Sequence, residues 1–142
     1  MTKLLQYCAL LLAIVLSSLQ PASAGTVIAN AGVAPGSLSR DHLFALFSMR
    51  VSRWPGGEPV TLIVYPDQHP AHARFVKRTL QIYPYQLRSI WDRYIFSGTA
   101  QAPVVVESAA QMLERVRRTE GAIGYLEESV RQPEGVDVIA IQ

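Results

Sequence analysis

The feature that most constrains the fold of this chain is the regular alternation of short apolar runs with segments of helical length. The apolar runs are residues 26–29, 60–65, 104–106, 122–126 and 136–141. Most successive runs are separated by enough residues for a helix, and a helix is the usual crossover between parallel strands. The chain is therefore predicted to form an α/β domain with about five mostly parallel strands flanked by helices.

The segments between the runs carry helix start and stop signals. Ser39 and Ser108 precede apolar positions spaced three and four apart, and a serine hydroxyl there can accept hydrogen bonds from the free amides of a first turn. Pro70 and Pro84 suit first turns, where a missing amide costs nothing. We expect a helix after each of these positions, and a helix-ending turn around Gly98.

The N-terminus has the three parts of a secretory signal peptide. Lys3 supplies the positive start, residues 4–19 are mostly apolar, and Ala22 and Ala24 place small residues before a cleavage point at Gly25. An uncleaved membrane anchor is the alternative, but an apolar stretch of about 16 residues is slightly short for a hydrocarbon core about 30 Å thick. We therefore predict a cleaved signal peptide at residues 1–24, a mature domain at residues 25–142 and export from the cytoplasm.

Charge and cysteine content argue against a nucleic-acid binder and against a domain that is held by disulfides or anchored by a lipid. The 13 Lys and Arg residues include Lys3 of the leader, which leaves 12 against 11 acidic residues in the mature chain, a balance that does not suit a nucleic-acid binder. Cys8, the only cysteine, also lies in the leader, so the mature domain has no disulfide. Because Tyr7 precedes Cys8 and the apolar run continues beyond it, the pattern does not favour lipidation. Stability must come from packing.

Four motifs, taken in order, resemble those of a known family. They are Ile28-Ala29-Asn30, Leu38-Ser39-Arg40-Asp41-His42-Leu43 with Phe47, Trp54-Pro55-Gly56-Gly57 and Gly121-Ala122-Ile123-Gly124-Tyr125. Their order and spacing resemble the second lobe of the phosphate-binding proteins of ABC transporters over nearly all of residues 26–142. The resemblance implies one lobe of the three-layer fold of type 2 periplasmic binding proteins, a periplasmic location and a non-catalytic role in solute binding for transport.

The chain departs from this family in its length and in its ligand loop. Full members hold the anion in a cleft between two lobes, whereas the mature chain has room for one. Where the family has S-G-T-R-x-x-F after its second strand, this chain has His69-Pro70-Ala71-His72-Ala73-Arg74-Phe75. Both hydroxyls are absent, and Pro70 lacks the amide that would face the anion. A ligand site here would need other donors and a partner in place of the missing lobe.

The best candidate for a ligand site is the loop that follows the apolar run at residues 60–65. Unpaired amides and the positive end of a helix dipole attract anions, and ligands favour the carboxyl edge of parallel strands. We therefore predict a site for a small, phosphate-like anion formed by Asp67, Gln68, His69, His72 and Arg74. A solvated helix start with ordinary surface side chains is the alternative.

Metal binding at the same loop is a third interpretation. Asp67, His69 and His72 are suitable ligand types, and residues three apart share a helix face. His42 is remote along the chain and no fourth ligand is evident. No metal and no other cofactor is therefore predicted.

The sequence carries no pattern typical of catalysis. The mature chain has no cysteine nucleophile, no G-x-S-x-G elbow and no Ser, His and Asp spacing that indicates a triad. We predict a binding protein rather than an enzyme, with a second copy of the domain or the envelope part of a transporter or receptor as its partner, and with no membrane span after signal cleavage. The alternative is a ligand-free envelope interaction or signalling module that kept the lobe fold.

Overall fold

A computed structural model describes Met1, Lys3, residues 25–127 and residues 133–142. The predicted signal peptide at residues 1–24, apart from those two residues, lies outside the described part of the chain. Among the helices that are described, none combines the length and the apolar character needed to cross a bilayer.

The centre of the domain is a six-stranded sheet with the strand order β2-β6-β1-β5-β3-β4. The strands are β1 (Thr26–Asn30), β2 (Ser37–Leu38), β3 (Thr61–Val64), β4 (Val104–Val105), β5 (Ala122–Leu126) and β6 (Val136–Ile141). β1 is antiparallel to both of its neighbours, β5 and β6, while every other adjacent pair is parallel. All strands except β1 therefore run in one direction, which confirms the predicted mostly parallel sheet.

The short strand β2 was not predicted from the sequence. Its residues pair with the C-terminal strand β6, Ser37 opposite Ala140 and Leu38 opposite Ile141. The backbone N–H of Gln142 also donates to the carbonyl of Leu38, over 2.9 Å. These partners lie about a hundred residues away, so local composition around the glycine and proline of this loop could not indicate a strand.

The predicted helices are confirmed, with their caps. They are α1 (Arg40–Phe47), α2 (Pro70–Arg74), α3 (Pro84–Phe96) and α4 (Ala109–Arg118), and α2 continues as a π-helical segment, Phe75–Leu80. The Ser39 hydroxyl accepts from the His42 amide and the Ser108 hydroxyl from the Gln111 amide. Gly98 follows the C-cap Ser97 of α3, and its φ of +73° is one that a glycine adopts without strain.

Alternate residues of β5 show that the sheet is covered on both faces. A Cβ atom on Gly124 would lie 2.6 Å from Met112 Sδ, so α4 packs directly against that face. Tyr125 points to the other face, where its ring stacks on Phe75 with centroids 4.0 Å apart and meets the edge of Phe47. The domain therefore has three layers, with α4 on one side of the sheet and α1, α2 and α3 on the other.

A close backbone contact positions the start of β5. The indole N–H of Trp54 donates to the carbonyl of Gly121 over 2.9 Å, in the buried core. Gly121 has a φ of +74°, and a Cβ atom there would lie 2.0 Å from the carbonyl oxygen of Pro59. Both the conformation and the contact require a glycine.

Gly121→Ala should destabilise the domain by at least about 3 kcal/mol, because the methyl group strains the backbone and forces Pro59 away. The matched control is Gly32→Ala, since Gly32 has a φ of +80° but nothing within 4 Å of an added Cβ. That change should cost only about 1 kcal/mol. Urea unfolding of both variants measures the difference, and equal costs would show that the contact with Pro59 is unimportant.

Candidate functional site

The predicted ligand loop leaves the carboxyl end of β3, an interior strand of the sheet between β5 and β4. Tyr65 and Pro66 follow the strand, a turn closes when the His69 amide donates to the Pro66 carbonyl, and α2 begins at Pro70. The loop therefore lies at the edge of the sheet where ligands of α/β proteins usually bind. The structure brings all of the predicted site residues to this region, but it uses them in different ways.

Asp67 is held by a cation from a distant helix. Its carboxylate accepts two hydrogen bonds from the Arg88 guanidinium, at 2.7 and 2.8 Å. Arg88 also lies over the Trp91 ring and 3.6 Å from Asp92. The hydrogen bonds from Arg88 lower the pKa of Asp67, so the carboxylate is charged and already compensated at neutral pH. This bidentate pair ties the loop to α3.

His69 caps the helix that follows it. Its Nδ1 atom accepts a hydrogen bond from the Ala71 amide over 3.1 Å, and its ring stacks on Tyr65 with centroids 4.4 Å apart. Because Nδ1 is the acceptor, the neutral imidazole carries its proton on Nε2. His69 thus offers an N–H donor from a ring whose orientation is fixed.

His72 faces the core rather than the solvent side of the loop. Its side chain is 1% exposed, and its Nδ1 atom lies 2.5 Å from the Tyr125 hydroxyl, which also accepts from the Tyr65 amide over 3.1 Å. Burial lowers the pKa of His72 and raises the pKa of Tyr125, so both side chains are neutral at neutral pH. His72 was predicted to contact the ligand, but aromatic side chains surround it and exclude water. In this structure His72 supports the loop from the core.

Gln68 and Arg74 are the exposed members of the predicted set. The Arg74 guanidinium lies 2.9 Å from the Glu127 carboxylate, with the two side chains 51% and 36% exposed. Such an exposed ion pair contributes little to stability, so the guanidinium can exchange its partner for another anion. Gln68, His69 and Arg74 are thus the three predicted residues whose side chains can meet a ligand.

The helix start itself offers few free amides. Pro70 has no N–H, the Ala71 amide is taken by His69, and the Ala73 amide donates to the His69 carbonyl. An anion at this loop would therefore meet side-chain donors more than backbone donors. Across residues 25–127 and 133–142, no cluster of three or more His, Cys, Asp or Glu side chains is arranged to hold a metal ion.

Neither of two described concavities includes the loop. One, of about 790 Å³, lies between the edge strand β4 and α4. The other, of about 570 Å³, lies near the end of α1 and the start of β3. Neither of these two concavities therefore supplies an enclosed site at the loop.

Sequence reasoning missed the residues that hold the loop in place, namely Arg88, Tyr65, Tyr125 and Glu127. Arg88 is 21 positions from Asp67 and has no motif or spacing that indicates the pairing. Tyr125 had a signal, because it closes the motif Gly121-Ala122-Ile123-Gly124-Tyr125. Its partner His72 lies 53 positions earlier, so only the folded sheet identifies the contact.

The depressed pKa of His72 predicts a loss of stability in mild acid. The unfolded chain takes up a proton on this imidazole as the pH falls through about 6.5, before the folded protein does. The free energy of unfolding should therefore decrease below that pH and level off once the folded protein is also protonated. Urea unfolding at a series of pH values measures this.

His72→Gln should remove that part of the pH dependence, whereas the matched change His42→Gln should leave it in place, because His42 is exposed. An identical pH profile for wild type and His72→Gln would contradict the burial of a neutral imidazole. The Gln variant will also be less stable at neutral pH, since the Tyr125 hydroxyl loses its partner. The slope with pH, not the absolute stability, is the test.

A double-mutant cycle on Asp67→Asn and Arg88→Met should give a coupling energy of about 1 kcal/mol, because the pair is bidentate but its side chains are 32% and 38% exposed. The control cycle uses Glu114 and Arg118, whose side chains are 42% and 79% exposed. It should give about 0.3 kcal/mol. Equal couplings in the two cycles would mean that Arg88 does not anchor the loop.

No protein-family model matches this sequence, and no curated protein matches it. Several solved structures do match it. An ABC-type phosphate transport receptor from Vibrio cholerae has a TM-score of 0.60 at 14% identity, over 83% of this chain and 46% of that one. PstS from Borrelia burgdorferi has a TM-score of 0.59 at 12% identity, over 84% and 47%.

A phosphate ABC transporter substrate-binding protein with bound phosphate, from Clostridium perfringens, has a TM-score of 0.61 at 15% identity, over 83% of this chain and 44% of that chain. The present chain therefore spans less than half the length of the structures it matches. At these identities the likeness is one of fold. The chain has the α/β fold of a single lobe of the phosphate-binding proteins of ABC transporters.

Proposed function

We propose that this protein is a non-catalytic, extracytoplasmic solute-binding module that takes a small oxyanion at the loop of residues 67–74, with a partner completing the site. Export would depend on the signal peptide predicted at residues 1–24. The observation that carries the proposal is the shared fold, because one matched structure is an ABC-type phosphate transport receptor and another contains bound phosphate. The loop lies at the carboxyl edge of the sheet, as ligand sites in open α/β folds do.

The chemistry of the loop is compatible with an oxyanion. Gln68, His69 and Arg74 supply an amide, an imidazole N–H and a guanidinium. A guanidinium is suited to the bidentate geometry of phosphate and related anions. The Asp67 carboxylate does not oppose an anion strongly, since Arg88 compensates its charge.

The single lobe explains why a partner is needed. Charges interact weakly where water surrounds them, so an anion held on one side by this loop alone would bind weakly. A second surface that excludes water from the other side would strengthen every contact. The module should therefore bind its anion more tightly in a complex than by itself.

Isothermal titration of the purified protein with inorganic phosphate should show weak, saturable binding, which Arg74→Gln reduces about tenfold. The matched control is Arg78→Gln, which removes an exposed charge one helical turn away and should leave the affinity almost unchanged. Sulfate is titrated in parallel to compare anions. Equal losses in both variants would indicate a general charge effect, and no heat with either anion would contradict oxyanion binding.

A second candidate function is a ligand-free interaction module in the cell envelope. The specific observation in its favour is that the polar groups of the loop are largely paired within the chain, Asp67 with Arg88 and His72 with Tyr125. The polar groups of such a loop need no ligand to complete their hydrogen bonds. Absence of anion binding, together with specific association with an envelope protein, would favour this candidate.

A further inference from the structure

The outer face of α3 carries large aromatic side chains that the domain does not bury. Tyr85 is 70% exposed and Phe96 is 88% exposed, while Leu87 and Trp91 are buried on the opposite face. Burying an exposed aromatic side chain is favourable, so a matching surface that covered both would gain free energy. Tyr83 extends the surface at the start of the helix, where its ring stacks on Tyr85 with centroids 5.7 Å apart.

The residues of this face have a spacing that is symmetric from end to end. Tyr85, Ser89, Asp92 and Phe96 follow one another at intervals of four, three and four residues, which places them on one stripe of the helix. Alternating intervals of three and four residues are those of the seam positions in a coiled coil. We call these four residues the α3 stripe.

We propose that the α3 stripe is the contact surface for a second copy of this chain, packed antiparallel across a twofold axis. An antiparallel arrangement centred between Ile90 and Trp91 sets Tyr85 opposite Phe96 of the other copy, at both ends of the contact. The two pairs lie about 16 Å apart along the helix. Such a surface is complementary to itself, as a twofold contact requires.

Charge supports the same arrangement. Arg88 flanks the α3 stripe on the side of Asp92 and lies 3.6 Å from it within one copy. In the antiparallel pair, Arg88 comes to the level of Asp92 of the other copy, because the two positions are nearly equidistant from the centre. Opposite charges therefore meet across the contact, and the small Ser89 near its centre lets the helices approach closely.

A second copy fits these features better than a lipid surface does. Arg88 and Arg93 flank the α3 stripe, but Arg88 is paired with Asp67 and Asp92, and the carboxylate of Asp92 within the stripe would be repelled by an anionic membrane. The contact is short, so it is smaller than a standard stable interface and the dimer should dissociate on dilution. Since Arg88 also holds Asp67, the contact lies next to the ligand loop, but the inference holds whether or not that loop binds an anion.

Sedimentation velocity of the purified protein over a roughly hundredfold range of concentration should show a monomer that converts to a dimer. Tyr85→Glu and Phe96→Lys should each weaken the dimer at least about tenfold, because each leaves a charge opposite an aromatic ring. The double variant should recover most of the loss, since Glu at position 85 then faces Lys at position 96 of the other copy. Within one chain these positions are too far apart to compensate each other.

The matched control is Val138→Lys, which places a charge on a side chain that is 46% exposed but lies on β6. It should leave the dimer unchanged. Circular dichroism of every variant should match wild type, since both substituted aromatic side chains are mostly exposed. A monomer at all concentrations, a dimer that neither single variant weakens, or a double variant that recovers nothing would overturn the proposal.

Discussion

The arrangement of this domain depends on the buried hydroxyl group of Tyr125. It accepts from the Tyr65 amide at the end of β3 and meets the His72 ring in α2, so one oxygen joins β5, β3 and the helix that follows the loop. Without it, a backbone amide and a ring nitrogen would be buried without partners, at about 1 to 3 kcal/mol each. The stacked Phe75 ring covers the same tyrosine, which keeps water away from these bonds. The loop is therefore positioned by the core beneath it.

The same constraint determines what the loop can offer to a ligand. Groups that fix its shape, such as Asp67 through Arg88 and His69 through the Ala71 amide, have part of their bonding capacity occupied. Arg74 is exposed and pairs only with Glu127, whose side chain is also partly exposed. Rigidity lowers the entropic cost of binding, so a ligand of the kind proposed for this loop would meet groups that are already positioned.

Local signals predicted elements well and long-range pairing poorly. The caps at Ser39 and Ser108 were predicted because a hydroxyl before an apolar period has a local physical role. The burial of His72 was not predicted, because a histidine three residues into a helix has the same local pattern whether it faces water or Tyr125. Arg88 was missed for the same reason: the helical period places it on α3, but nothing nearby indicates that α3 passes beside Asp67.

From the residues alone follow the alternation of strands and helices, the mostly parallel sheet, the helix ends and the place of the loop at the carboxyl edge of β3. These depend on hydrophobic period and backbone chemistry, which act over a few neighbouring residues. Folding in three dimensions decided that β2 joins β6, that β1 runs against its neighbours and that His72 belongs to the core. Those outcomes depend on which distant segments share one buried volume, and that is a property of the whole packed chain.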